Sequence, residues 1–243
     1  MKHSGNGIQN KKLLFLLVSA FFVVSLVAVL YFNAVDNTLT EEDKKFIPMY
    51  MGEIPPLPEN PTYQDELNFI VAVQHSVLQI APGNEGLPCC KKREPKELYM
   101  AKTGLCYDRS RVIEKVLRYY GFTTRHISLY SKAKTDSAIK ALMTPGVSSH
   151  AITEVLTKRG WLVVDSNAPW VSTDINNEPM SISDIQAKID NSSLIQWKQN
   201  PPTDIYLKPF VFLYGLYSRH GYFYPPYNMI PDINYKEFIQ NVL

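Results

Sequence analysis

Residues 104–121 read Gly104 Leu105 Cys106 Tyr107 Asp108 Arg109 Ser110 Arg111 Val112 Ile113 Glu114 Lys115 Val116 Leu117 Arg118 Tyr119 Tyr120 Gly121. Apolar side chains at Val112, Ile113, Val116, Leu117 and Tyr120 recur at helical spacing. Gly104 marks the loop before them, and Gly121 stands where a left-handed C-cap belongs. The stretch predicts a helix with one buried face and Cys106 at its N-terminal end. Unpaired backbone N–H groups and the positive end of the helix dipole favour a thiolate there. A free cysteine is also among the most buried residue types, so a small core hydrophobe is the competing reading of Cys106.

Downstream, Phe122 to Tyr130 has the β-branched and aromatic content of a strand, with Arg125, Ile127 and Leu129 on one face. Ser149 to Leu156 and Trp161 to Asp165 flank Thr157 Lys158 Arg159 Gly160 and read as the two strands of a hairpin. His150 and Asp165 are about equally far from that turn, which brings an imidazole to a carboxylate across the strands. A carboxylate favours the imidazolium and fixes its tautomer, and an imidazole beside a cysteine takes its proton. Cys106, His150 and Asp165 then make a nucleophile, a base and an orienter.

These blocks resemble the transglutaminase-like superfamily of papain-related cysteine enzymes over about residues 62–170. The resemblance rests on Gly104 Leu105 Cys106 Tyr107 Asp108 with its helix and Gly121 Phe122, on the strand with Arg125, and on His150 Ala151 Ile152 Thr153 Glu154 Val155 with Trp161 Leu162 Val163 Val164 Asp165. The spacings of 44 residues from Cys106 to His150 and 15 from His150 to Asp165 fit that layout. The resemblance implies an α+β domain of papain-like architecture, with the cysteine at a helix N-terminus packed on an antiparallel sheet. It also implies acyl transfer from an amide to water or to an amine, without metal or cofactor. The family commonly has an aromatic residue where this chain has Ile152, and a proline where it has Ser166. The backbone N–H of Cys106 is the expected oxyanion donor, with Gln74 as the candidate for the second.

Upstream, Leu13 to Phe32 carries no charge over about 20 residues, enough at 1.5 Å per residue to cross the roughly 30 Å hydrocarbon layer. It reads as a transmembrane helix; its length and the lack of a small-x-small site argue against a cleaved signal peptide. Lys2, Lys11 and Lys12 precede it and Asp36, Glu41, Glu42 and Asp43 follow, which places residues 1–12 in the cytoplasm and the domain outside, in the periplasm if the cell is bacterial. Five prolines between Asn33 and Pro61 predict a semi-extended linker over 33–61. The domain is expected over 62–243, opening with a helix from Tyr63 to Ile80 capped by Thr62.

Composition narrows the function. A net charge of +2, from 25 basic and 23 acidic residues, argues against nucleic acid as a partner. Three cysteines, with Cys89 and Cys90 adjacent, give neither a disulfide framework nor a zinc set. His126 reads as structural, Trp161 as core, His75 as solvated, and Glu154 as an ion-pair partner for Arg125. From Lys208 to Leu243 the chain is tyrosine-rich and reads as an extension. Its rings beside Arg219 and His220 suit either a binding groove or an aromatic belt.

The expected partner is a peptide, protein or envelope-polymer substrate. The competing class is a catalytically silent module that binds an envelope glycan or peptide. Acyl transfer from a small thioester, as in arylamine acetyltransferases, is a third reading.

Overall fold

The computed structural model describes residues 5–52, 54–88, 91–137, 140–141, 144–217 and 232–242. Cys89, Cys90, Arg219 and His220, and most of the tyrosine-rich stretch after Tyr217, lie outside the described residues. The chain divides into two units, Met1–Ala34 and Val35–Leu243. The first is helix α1 (Gly5–Phe32), whose span Lys11–Phe32 has 22 residues and a mean hydropathy of 3.0. At about 1.5 Å per residue that length suffices to cross a membrane.

The second unit is a mixed helical and antiparallel-sheet domain. Its main helices are α2 (Glu41–Met51), α3 (Tyr63–Ile80), α4 (Pro95–Ala101) and α5 (Cys106–Tyr119). Strands β1 (Thr123–Ser131), β2 (Ser149–Thr157) and β3 (Gly160–Val164) follow, then α6 (Ile182–Asp190) and β4 (Phe210–Tyr214). The four strands form one antiparallel sheet in the order β3-β2-β1-β4. A short pair, β5 (Leu216–Tyr217) with β6 (Asp232–Ile233), and α7 (Tyr235–Phe238) complete the described chain.

Strand alternation divides the core. Val155, Leu162 and Val164 face α3 and α5, meeting Ile70, Val73, Val112, Ile113 and Val116. Ile127, Leu129, Ile152 and Val163 face the other way, onto Trp170, Ile182, Ile185 and Tyr206. The sheet is thus buried on both faces, and α5 lies pressed against its centre.

Local chemistry accounts for the helices that frame the site. Thr62 and Asp65 form a capping box at the start of α3, and Leu67, Ile70, Val73 and Val77 are buried as the spacing predicts. Helix α5 ends at Gly121, where φ is +88° and the Phe122 N–H reaches the Leu117 carbonyl at 3.1 Å, a Schellman closure that needs glycine.

The segment 33–61 differs from the expected linker. Thr40 and Asp43 form a capping box, α2 follows, and Ile47, Tyr50 and Met51 are buried in the core that α3 and α5 share. Pro48 falls in the last turn of α2, where it removes a single intrahelical bond, and the other prolines come after the helix. Asp43 of α2 accepts from Lys115 Nζ at 2.6 Å, a buried ion pair that ties this segment to α5.

Two further expectations are corrected. The chain after Lys208 does not begin as an appended extension, because Phe210–Tyr214 is the fourth strand and pairs with β1. Trp161 is only half-buried. The Arg125 guanidinium lies 4.0 Å from the centre of its ring and 4.0 Å from that of Tyr214, while Arg125 Nε donates to Glu154 at 2.6 Å. His126 is structural as expected. It is buried against the Tyr217 ring at 4.2 Å, and burial pushes its pKa down to about 3.

Candidate active site

The hairpin register explains why His150 meets Asp165. The ladder runs from Thr157↔Gly160 to Thr153↔Val164, so Asp165 stands level with Ile152, one diagonal step from His150 and on its face. There β3 stops. Asp165 Oδ1 accepts the N–H groups of Asn167 and Ala168 at 2.7 and 2.8 Å, and this turn carries the chain away from β2. Its other oxygen, Oδ2, is 2.8 Å from His150 Nε2 and accepts the Tyr206 hydroxyl at 2.7 Å. Both residues are buried.

Beyond the end of β3, the backbone of Ala151 faces the strand position that β3 has vacated. Its carbonyl accepts the Ser166 hydroxyl at 2.5 Å, and its N–H donates to the Cys106 sulfur. The sulfur thus occupies a gap in the sheet edge, at the first position of α5. The His150 ring is its hydrogen-bonding neighbour. With Nε2 engaged by Asp165, Nδ1 is the nitrogen left for the sulfur.

Electrostatics favour the thiolate–imidazolium form. Burial pushes the Cys106 thiol up, but the hydrogen bond and charge of His150 and the N–H groups of Ala151 and Tyr107 bring it below its ordinary value. Burial also opposes the charged His150 ring, yet the charge and hydrogen bond of Asp165, with those of Cys106, raise it to about 10. Asp165 is pushed up by burial and held below the usual carboxylate value by His150 and Tyr206.

The N-terminus of α5 is capped by its own third residue. Asp108 Oδ2 accepts the Leu105 N–H at 2.9 Å and the Leu87 N–H at 3.2 Å, so the N-cap is satisfied from the third helical position. The N–H of Cys106 makes no hydrogen bond among the described residues. Gln74 is not the second donor. Its Nε2 donates to the carbonyls of Asp165, Ala168 and Trp170 at 2.7, 3.1 and 2.8 Å, so it braces the aspartate turn.

The structure brings together all three residues singled out in the sequence and adds two that carried no sequence signal. Tyr206 lies 41 residues beyond Asp165, in a single 3-10 turn. Arg109, three residues after Cys106 on α5, is buried at the junction of three loops. Among the described residues, no group of His, Cys, Asp and Glu is arranged to hold a metal ion.

No curated protein matches the chain. Residues 64–166, the span that holds Cys106, His150 and Asp165, match the family model of the transglutaminase-like superfamily, so the chain carries a domain of that superfamily behind an N-terminal helix long and apolar enough to cross a membrane.

Proposed function

We propose that this chain is a membrane-anchored, cysteine-dependent acyl-transfer enzyme, an amide or peptide hydrolase or a transamidase. The Cys106 thiolate attacks an amide carbon, and the oxyanion forms against the Cys106 N–H. His150 passes its proton to the leaving amine as the C–N bond breaks, which leaves a thioester on Cys106. Neutral His150 then takes a proton from water or an acceptor amine. The attack releases a carboxylic acid or a new amide and restores the thiolate and imidazolium. Asp165 keeps Nδ1 aimed at the sulfur throughout.

The observation that supports this most is the contact between His150 Nε2 and Asp165 at 2.8 Å, made while the same ring neighbours a thiol at a helix N-terminus. In this reading α1 is a single-pass anchor, the lysines ahead of its apolar run stay cytoplasmic, and the domain works on a peptide, protein or envelope polymer on the other side. The test is to offer amide donors to the full-length chain and to its Cys106→Ala variant, and to trap the thioester by acid quench and mass spectrometry. An acyl mass on the Cys106 peptide, absent from the variant, is expected. A wild-type Cys106 that reacts with iodoacetamide near neutral pH no faster than an unfolded cysteine refutes the activated nucleophile.

A further inference from the structure

Arg109 lies one helical turn after Cys106, 2% exposed, with every N–H of its guanidinium engaged. Nε donates to the Ser166 carbonyl at 2.8 Å. Nη1 reaches the carbonyls of Ala81 and Gly83 at 3.0 and 2.9 Å and that of Gly104, and Nη2 reaches the side-chain oxygens of Asn84 and Asn167 at 2.8 and 2.9 Å. One side chain thus ties together the loop that ends α3, the loop that delivers Cys106 and the turn that follows Asp165. All six partners are neutral oxygens. A buried guanidinium without a bonded carboxylate is costly unless negative charge lies near it. The nearest carboxylates are already matched, Asp108 by Arg93 at 3.3 Å and Asp165 by His150.

We propose that Arg109 is a positioning residue of the thiolate: its fork fixes the cysteine loop on the aspartate turn, and its charge holds the negative sulfur of Cys106. The inference rests on the reading of Cys106 as a nucleophile. With thiolate and imidazolium formed, Cys106, Asp108 and Asp165 face His150, Arg93 and Arg109, three charges of each sign; without Arg109 the cluster carries an unmatched negative charge. In accord with this, burial pushes the guanidinium down, and Cys106 comes first among the groups that offset it, ahead of Asp108 and Asp165.

The test uses the full-length chain in detergent. Iodoacetamide labelling across pH, quantified on the Cys106 peptide so that Cys89 and Cys90 do not contribute, gives the midpoint of thiolate formation. Arg109→Gln raises that midpoint by about one pH unit, about tenfold less thiolate on the acid limb. Arg109→Lys, which keeps the charge, raises it less; an equal shift in the two variants overturns the role of the charge. Asn167→Asp sets a carboxylate on Nη2 at an exposed position, so it neutralises the guanidinium without disturbing the core, and it also shifts the midpoint upward. A wild-type midpoint in Arg109→Gln, or in Asn167→Asp where the first variant does not fold, overturns the proposal. A wild-type chain whose Cys106 titrates as an ordinary thiol overturns the nucleophile reading instead, whatever the variants do.

Discussion

The Tyr206 hydroxyl donates to Asp165 Oδ2 at 2.7 Å, the same oxygen that holds His150 Nε2 at 2.8 Å. The carboxylate is fully buried, so each donor replaces a water it has lost. A hydrogen bond to a charged group contributes about 1.5–3 kcal/mol, and Tyr206→Phe is expected to destabilise the domain by about that amount. Urea denaturation of the two proteins measures it. A loss below about 0.5 kcal/mol means that the hydroxyl does not serve Asp165.

The thiolate–imidazolium pair has a distinctive pH signature. His150 is raised from 6.5 to about 10, so its contribution to stability is complete below pH 6.5 and is lost as pH rises toward 10. Cys106 is lowered from 9.0, so its contribution is complete above pH 9 and is lost as pH falls through the folded value. Between pH 6.5 and 9 the two slopes oppose each other, and the pair contributes a plateau. Cys106→Ala removes one slope and leaves the other. The variant is expected to lose stability relative to wild type from pH 6.5 to 9, read as a growing gap between urea midpoints at several pH values. A gap that does not change with pH shows that no ion pair exists.

Much of this site was legible in the sequence because its parts are local. Apolar spacing and Gly121 delimit α5, Thr62 starts α3, and the turn at Thr157–Gly160 sets the hairpin. Counting from that turn placed His150 beside Asp165, although the ladder sets Asp165 level with Ile152, and the diagonal reach of the side chains closes the difference. What stayed hidden depends on tertiary contacts. Arg111, Glu114 and Lys115 carry no sign of burial in the helix pattern, but further segments cover α5 on that side and these three charges pair with one another and with Asp43 and Glu94, while Arg109 is buried against neutral oxygens. The prolines of 33–61 masked α2, although Thr40 and Asp43 spell its capping box three residues apart. No periodicity ties Tyr206 to Asp165.

Glu154 couples the sheet to α6. Its Oε2 accepts from Arg125 at 2.6 Å and its Oε1 accepts the Ile182 N–H at 2.6 Å, with the carboxylate side chain fully buried. Removing one partner of such a pair leaves an uncompensated charge, at a cost of about 3–5 kcal/mol. Glu154→Ala is expected to lose about that much stability, while the folded fraction keeps the wild-type alkylation midpoint at Cys106. A shifted midpoint means that Glu154 acts on the site rather than on the fold alone.

Gly104 decides how closely the cysteine loop approaches α4. A Cβ at this position stands 2.6 Å from Leu98 Cδ1 and 3.1 Å from Asp108 Cβ. Leu98 is fully buried, and Asp108 is fixed by the Leu105 N–H and by Arg93. The loop cannot retreat either, since the Gly104 N–H bonds the Gly83 carbonyl at 3.1 Å and its own carbonyl receives Arg109. Gly104→Ala therefore overpacks a rigid contact, which costs about 1–3 kcal/mol, and it moves Cys106 out of line with His150. Slower labelling of Cys106 at neutral pH is expected, with unchanged labelling in urea. Leu98→Ala opens space for the added methyl, so the double variant is expected to label faster than Gly104→Ala alone, a non-additive recovery that a diffuse loss of stability does not produce. If the double variant labels more slowly than either single one, the steric account is wrong.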